Sequence, residues 1–321
     1  MAINNYDVIT RRTFHQRALG AGAALLGAST LARKAAATPF PKGKYFDFHT
    51  HITQAWSFKE KLYTTELLKW MDTMGIAQAV VLPLISPESW DHPITTDFVL
   101  RETMAYRDRL IPFCSIDPRT INLSSPRKRE MLQKYKDAGC KGLGEHKVGI
   151  PIDDPRNLDM FHACAEVGLP ILFHLDNSRN TDKPGLPGLE KVLKEVPDGI
   201  FIGHAQGWWA SISGGLEQAD LQKYPEGKVQ PDGAIGRLFD TYPNIYGDVS
   251  AGSGANAFSR DPEHGREFCL KYADRLLFGT DYLAPAQEVP QFALYDSFNL
   301  PEEVQAKIFR DNARKLLGLT A

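Results

Sequence analysis

Cysteine is scarce in this chain. Four in 321 residues, none in a C-x-x-C pair, exclude a disulfide-framed scaffold and a cysteine-rich zinc fold. Cys114 and Cys140 sit in apolar strand patterns, Cys164 and Cys269 in helical ones, so buried thiols are expected. Positive charge is not in excess either: 37 Lys and Arg against 39 Asp and Glu give a formal net charge of −2. That balance carries no electrostatic footprint for nucleic acid or an anionic membrane. No run reaches the roughly 20 apolar residues of a bilayer span. No Pro-rich linker, internal repeat or low-complexity tract interrupts the chain beyond residue 37. Ser250 and Ser253 lie among glycines but outside any G-x-S-x-G turn, so a serine nucleophile is not expected.

Near the N-terminus, Arg11-Arg12 precede an apolar, charge-poor run at 18–32, then Arg33-Lys34 and Ala35-Ala36-Ala37. The segment resembles a twin-arginine export signal over residues 1–37, cleaved after Ala37, which implies a periplasmic or secreted protein. Its removal takes away five basic groups and one acid, moving the formal charge from −2 to −6. The remaining 38–321 suit one large α/β domain. No membrane contact is expected once the signal is gone, and a homo-oligomer is compatible with such a domain.

From residue 38 onward, apolar strand patterns alternate with amphipathic segments. Strands are expected at 45–51, 77–84, 110–116, 140–148, 170–175, 199–204, 245–249 and 275–280. Helical patterns occupy 60–74, 127–138, 157–167, 234–242, 262–273 and 301–317, three of them stopped by Gly75, Gly139 and Gly168. The stretch 208–243 exceeds what one crossover needs and reads as a loop insertion after strand six. Eight strands alternating with helices in about 280 residues predict a (β/α)8 TIM barrel. An open doubly wound sheet would want a Gly-rich phosphate turn after the first strand, where His49-Thr50-His51-Ile52 stands instead.

In such a fold chemistry sits at the C-terminal ends of the strands. Strand one reads Asp47-Phe48-His49-Thr50-His51, whose alternation puts Asp47, His49 and His51 on one face and Phe46 and Phe48 on the other. Strand four ends Glu145-His146-Lys147, with Glu145 and Lys147 on one face. Strands five and six end in His174 and His204, strand seven offers Asp248, and strand eight ends Gly279-Thr280-Asp281. Four histidines and a carboxylate on one rim have the composition of a divalent-metal site.

D-x-H-x-H on strand one, His on strands five and six, and G-T-D on strand eight resemble the amidohydrolase superfamily. Asn312-Ala313-Arg314-Lys315-Leu316-Leu317-Gly318 is similar to the last helix of its amidohydrolase-related (type 2) branch of metal-dependent hydrolases and decarboxylases. The resemblance implies His49, His51, His174 and Asp281 as ligands of one divalent ion, zinc with manganese as the alternative, and one ion is favoured over two. It implies further that Asp281 moves the proton of the attacking water and that His204 polarises the substrate or shuttles a proton beside one ion, or is a ligand if there are two. Glu145 and Lys147 are either a bridge between two ions or contacts to substrate. Asp248 orients a ligand or substrate, or bonds a neighbouring loop, and Asp47 braces His49.

The leading expectation is a metal-dependent hydrolase of a small amide, ester or lactone. The alternatives are a metal-dependent decarboxylase of an aromatic or unsaturated carboxylic acid, with Arg119 and Lys147 as cations for the acid, and a non-catalytic binding barrel. His92, between Asp91 and Pro93, is expected at the surface, and His162 and His264 on helices away from strand ends. Trp208 and Trp209 either wall the pocket or pack beneath the insertion.

Overall fold

The computed structural model describes residues 43–89, 91–120 and 124–319, so the expected export signal at 1–37 lies outside them. Strands β1 (Tyr45–Thr50), β2 (Ile76–Val81) and β3 (Leu110–Pro112) form one parallel sheet in that order. A second parallel sheet runs β4 (Leu143–His146), β5 (Ile171–His174), β6 (Phe201–His204), β7 (Ile245–Asp248) and β8 (Leu276–Leu277). An isolated parallel bridge from Cys114 to Leu143 links β3 to β4. Between β8 and β1, the Phe48 N–H donates to the Phe278 carbonyl at 2.8 Å, and the Asp281 N–H to the His49 carbonyl at 2.8 Å.

All eight strands fall inside or beside the expected stretches but are shorter, trimmed at one end or both where the flanking residues enter loops. The helix expected from residue 60 begins at Thr64, where the Tyr63 N–H is capped by Glu66 Oε2 at 3.0 Å. It ends in a left-handed Gly75 (φ 70°), where a residue with a Cβ would be strained. Helices without a matching expectation include Gln291–Ser297, Thr96–Thr103, Pro187–Glu195 and Ala251–Ser259. The last reads Ala-Gly-Ser-Gly-Ala-Asn-Ala-Phe-Ser, poor in helix propensity. It forms because it is buried: Ser253, Gly254, Ala255, Ala257 and Phe258 are all covered. The insertion after β6 holds the helix Ala234–Thr241, a short helix Gln206–Ala210 and a 3-10 turn Gln218–Gln222. All four cysteines are buried and free. No helix among the described residues is long and apolar enough to cross a membrane.

Two apolar clusters pack on the strands. The larger includes Ile171, Phe173, Phe201 and the helix faces; the smaller gathers Phe46, Phe48, Phe113, Leu172, Ile202 and Leu277. By alternation Leu172 and Ile202 share their faces with His174 and His204. Phe46 and Phe48 therefore lie on the same side as the site, against the simple alternation expected for residues 45–51. A register shift between Asp47 and Thr50 breaks that alternation, and a second lies in β4 between Leu143 and His146.

Trp208 and Trp209 are core residues rather than pocket walls, at 0% and 1% exposure. A Cβ on Gly203 would stand 2.3 Å from the Trp208 ring. Gly203→Ala is accordingly expected to cost about 1–3 kcal/mol by overpacking. A urea melt would read the loss, and an unchanged midpoint would refute this account of the glycine.

Candidate metal centre

The ends of β1, β4 and the segment after β8 bring four donor atoms together. His49 Nε2 and His51 Nε2 are 3.2 Å apart, and Asp281 Oδ1 lies 3.4 Å from each. Glu145 Oε2 stands 3.9 Å from His49 Nε2 and 3.6 Å from His51 Nε2. Ligands at about 2.1 Å from one ion sit about 3.0–3.4 Å from each other in tetrahedral or octahedral geometry. The two imidazoles and Asp281 match that spacing, with Glu145 slightly outside it.

Tautomers sharpen the fit. His49 Nδ1 is 2.6 Å from Asp248 Oδ2, and His51 Nδ1 is 2.9 Å from the Leu82 carbonyl. A carboxylate and a carbonyl only accept, so both Nδ1 atoms donate, and in the neutral ring each Nε2 presents a lone pair. With both rings neutral, two lone pairs and two carboxylate oxygens converge there with no proton between them. A cation satisfies that arrangement without protonating either ring. The residues therefore fit a divalent ion.

Asp248, at the end of β7, holds two rings at once. Its Oδ2 reaches His49 Nδ1, lies 3.1 Å from His204 Nδ1, and accepts from Ser250 Oγ at 2.7 Å. Burial pushes its carboxyl up, but His49 and His204 more than offset this and hold it below the usual carboxylate range. A Cβ on Gly279 would stand 2.3 Å from Asp248 Oδ1, so that position needs its glycine for the close approach.

Glu145 faces two ways. Its Oε1 is 2.6 Å from His174 Nδ1, 3.9 Å from His204 Nε2 and 3.6 Å from Lys147 Nζ. His174 is thus on the far side of Glu145 from the His49–His51–Asp281 group, and forms a second donor group with Glu145 and His204. Burial raises the Glu145 carboxyl, yet Lys147, His174 and His49 hold it well below its ordinary value. For Asp281 burial again pushes upward, while His49 and His51 bring it down to about 2.

Asp47 touches neither imidazole. Its oxygens accept from the His49 and Thr280 N–H groups (3.1 and 3.0 Å) and from Thr280 Oγ1 (2.6 Å), fastening β1 to the segment after β8. It braces His49 through the backbone, and burial lifts its carboxyl to about 7. His146 points to the other side of β4, where its Nε2 meets Asn157 Oδ1 at 2.9 Å.

Two residues at the site carried little weight in the sequence. Asp176 Oδ2 lies 2.9 Å from His174 Nε2 and 2.9 Å from Arg179 Nη1, fixing the imidazole from behind. Its signal was the His174-Leu175-Asp176 spacing, which repeats the alternation of strand one. His92 is the other: expected at the surface, it is 6% exposed, with its ring 6.1 Å from that of His51. The loop after β2 folds inward through the Leu84–Ile94 bridge. Arg119, by contrast, is committed elsewhere: its Nη atoms reach Glu88 Oε1 and Oε2 at 2.6 and 2.7 Å, and Asp117 Oδ2 at 2.6 Å. It has no free edge for a substrate carboxylate.

Parallel strands ending in a buried imidazole–carboxylate cluster define an α/β protein with a metal-type centre. The chain belongs to the amidohydrolase family whose model, Amidohydro_2, matches residues 46–319. Its fold is similar to that of the uncharacterized Tim-barrel protein Bb4693 from Bordetella bronchiseptica, at TM-score 0.60 and 18% identity over 85% of this chain and 98% of that one. It is also similar to a structure described as a probable 2-pyrone-4,6-dicarboxylic acid hydrolase from Acinetobacter baumannii, with citric acid bound (TM-score 0.57, 13% identity, 86% and 99% covered). A third likeness is the dihydroxybenzoic acid decarboxylase from Polaromonas sp. JS666 with bound manganese and 2-nitroresorcinol (TM-score 0.54, 14% identity, 86% and 97% covered). Among curated proteins none matches the sequence significantly. The protein is an amidohydrolase-related enzyme.

The Arg119 cluster gives a pH-dependent expectation. Its guanidinium is the chief group holding Glu88 below its ordinary 4.5, and it outweighs burial to hold Asp117 below 3.8. Carboxyls lowered on folding stabilise above their unfolded values, and that contribution fades as pH falls through the folded ones. Arg119→Ala should therefore cost about 1–2 kcal/mol at pH 7, discounted for partial exposure, and less at pH 3. Denaturant melts at both pH values would measure this; an equal cost at each would contradict it.

Proposed function

We propose that this enzyme is a metal-dependent hydrolase of a small amide, ester or lactone, built on a (β/α)8 barrel of which the two sheets are arcs. The observation that carries the reading is the convergence of the His49 and His51 Nε2 lone pairs on Asp281 and Glu145. One divalent ion held by His49, His51 and Asp281, with Glu145 completing the set, would supply Lewis acidity and an acidified water. Zinc is the first candidate, and the manganese in the Polaromonas decarboxylase supports manganese as the second. Because Glu145 turns its two oxygens to two donor groups, a second ion beside His174 and His204 is the alternative stoichiometry.

The chain's own groups then divide the work. Asp281, whose low pKa keeps it ionised, takes a proton from the attacking water and returns it to the leaving heteroatom. His204 is fixed at Nδ1 by Asp248 and by Ser250 Oγ at 3.0 Å, leaving Nε2 to take up and return a proton beside the substrate. Asp248 and Asp176 hold the rings in place, which is the role of carboxylates behind metal-binding imidazoles.

A second reading, decarboxylation of an aromatic or unsaturated acid, is favoured by Lys147. Its ammonium is 3.6 Å from Glu145 and 22% exposed, at a distance from which it could hold a substrate carboxylate. The twin-arginine-like leader supports export to the periplasm, where a scavenging hydrolase would meet external compounds.

Elemental analysis of protein expressed with zinc or manganese should find at least one equivalent of metal. The double variant His49→Ala/His51→Ala should hold none, and full occupancy in it would sink the site. Release of carbon dioxide from aromatic acids, with no turnover of amides, esters or lactones, would replace hydrolysis by decarboxylation. Asp248→Ala should weaken metal binding about 10- to 100-fold in a chelator competition. Unchanged affinity would show that the clamp on His49 and His204 is dispensable.

A further inference from the structure

We infer that His92 is a substrate-contacting residue, whose imidazole bonds a hydroxyl carried by the substrate beside the group at the metal. The inference rests on the metal-dependent reading above and deepens it by naming what the substrate bears.

His92 is buried at 6% exposure, yet neither of its ring nitrogens has a hydrogen-bond partner among the described residues. A buried imidazole with both nitrogens unpartnered is uncommon, because each such atom has given up water without compensation. His146 differs by one bond: it is also buried and its Nδ1 is likewise unpartnered, but its Nε2 is bonded to Asn157. His92 is not left over on a loose loop, either. Its N–H donates to the Ser89 carbonyl at 2.9 Å, and Leu84 and Ile94 exchange backbone bonds of 2.8 and 2.7 Å around it. On the other flank, Ser57 Oγ donates to the Asp91 carbonyl at 3.4 Å. The loop holds the ring in place.

Position distinguishes its role from that of a ligand. The ring lies 6.1 Å from that of His51, but His92 enters none of the three groups whose donor atoms could share an ion. It therefore stands beside the metal donors without being one of them. The charged or titratable groups facing it are Asp281, Asp91, Lys147 and His51. At 6% exposure burial disfavours the charged ring, so the neutral form is favoured. A neutral imidazole donates from one nitrogen and accepts at the other, which matches a hydroxyl better than a carboxylate, whose natural partner is a cation. Lys147 is that cation.

The test uses metal-loaded full-length protein and two probes that differ only in hydroxyls, benzoate and 2,6-dihydroxybenzoate, with binding followed by calorimetry. The wild type should prefer the dihydroxy acid about tenfold, the worth of one well-made hydrogen bond. His92→Phe should abolish the preference while keeping benzoate affinity and metal content. His92→Asn, which keeps a donor and an acceptor, should restore part of it. Loaded wild type with no preference, or a preference that survives in His92→Phe, overturns the assignment. So does loss of metal or of benzoate affinity in both variants, which marks a purely structural role. Absence of metal from the wild type would instead overturn the functional reading, so the two failures are separable.

Discussion

Two imidazoles face each other through nitrogens that both carry lone pairs, and much of the molecule serves to keep them there. His49 and His51 meet at 3.2 Å only because Asp248 and the Leu82 carbonyl take their Nδ1 protons. Without those acceptors the rings could change tautomer and bond each other or water. With them and with neutral rings, the cluster has an excess of electron pairs in a largely buried place. Such an arrangement opposes folding unless a cation neutralises it, so the geometry is better understood as a holding site than as a network. The same constraint explains the close backbone contacts around it. Gly279 admits Asp248, and Asp47 fastens β1 to the segment that carries Asp281.

How much of this the sequence announces depends on how local the cause is. Strand ends were legible because a run of apolar residues ending in His or Asp needs only the period of two and the end of the run. On that basis His49, His51, His174, His204 and Asp281 were all named as site residues. The register shifts in β1 and β4 were not legible, because they arise from pairing with neighbours rather than from the residues themselves. They bring Phe46 and Phe48 to the site's side of β1. The helix Ala251–Ser259 was hidden for a related reason: its glycines and serines argue against a helix, and only burial overrules them.

Partnership over long distances is where sequence reasoning lost detail. Asp248 was a candidate with several roles, and only folding shows one oxygen serving His49, 199 residues away, together with His204 and Ser250. Arg119 looked available for a substrate acid because its partner Glu88 lies on another loop. His92 looked exposed because the polar residues around it, Asp91 and Pro93 among them, read as surface. The loop's inward turn depends on the backbone exchange between Leu84 and Ile94.

A division of labour between strands and loops follows. The donors at strand ends serve equally well whether water attacks a carbonyl or carbon dioxide leaves a ring, since both need a polarised oxygen and a proton moved by a positioned carboxylate. Those residues are rigid, buried and fixed by strand pairing, so they set the kind of chemistry and say little about its target. Discrimination has to come from groups one layer out, where the substrate rather than the ion is touched. In this chain the groups proposed for that role are Lys147, just past β4, and His92, in the loop after β2. A cation and a neutral imidazole next to one centre read different parts of a molecule: the cation favours an anionic group, the imidazole an uncharged oxygen. On that proposal the substrate is constrained by two positions lying beyond the strand ends.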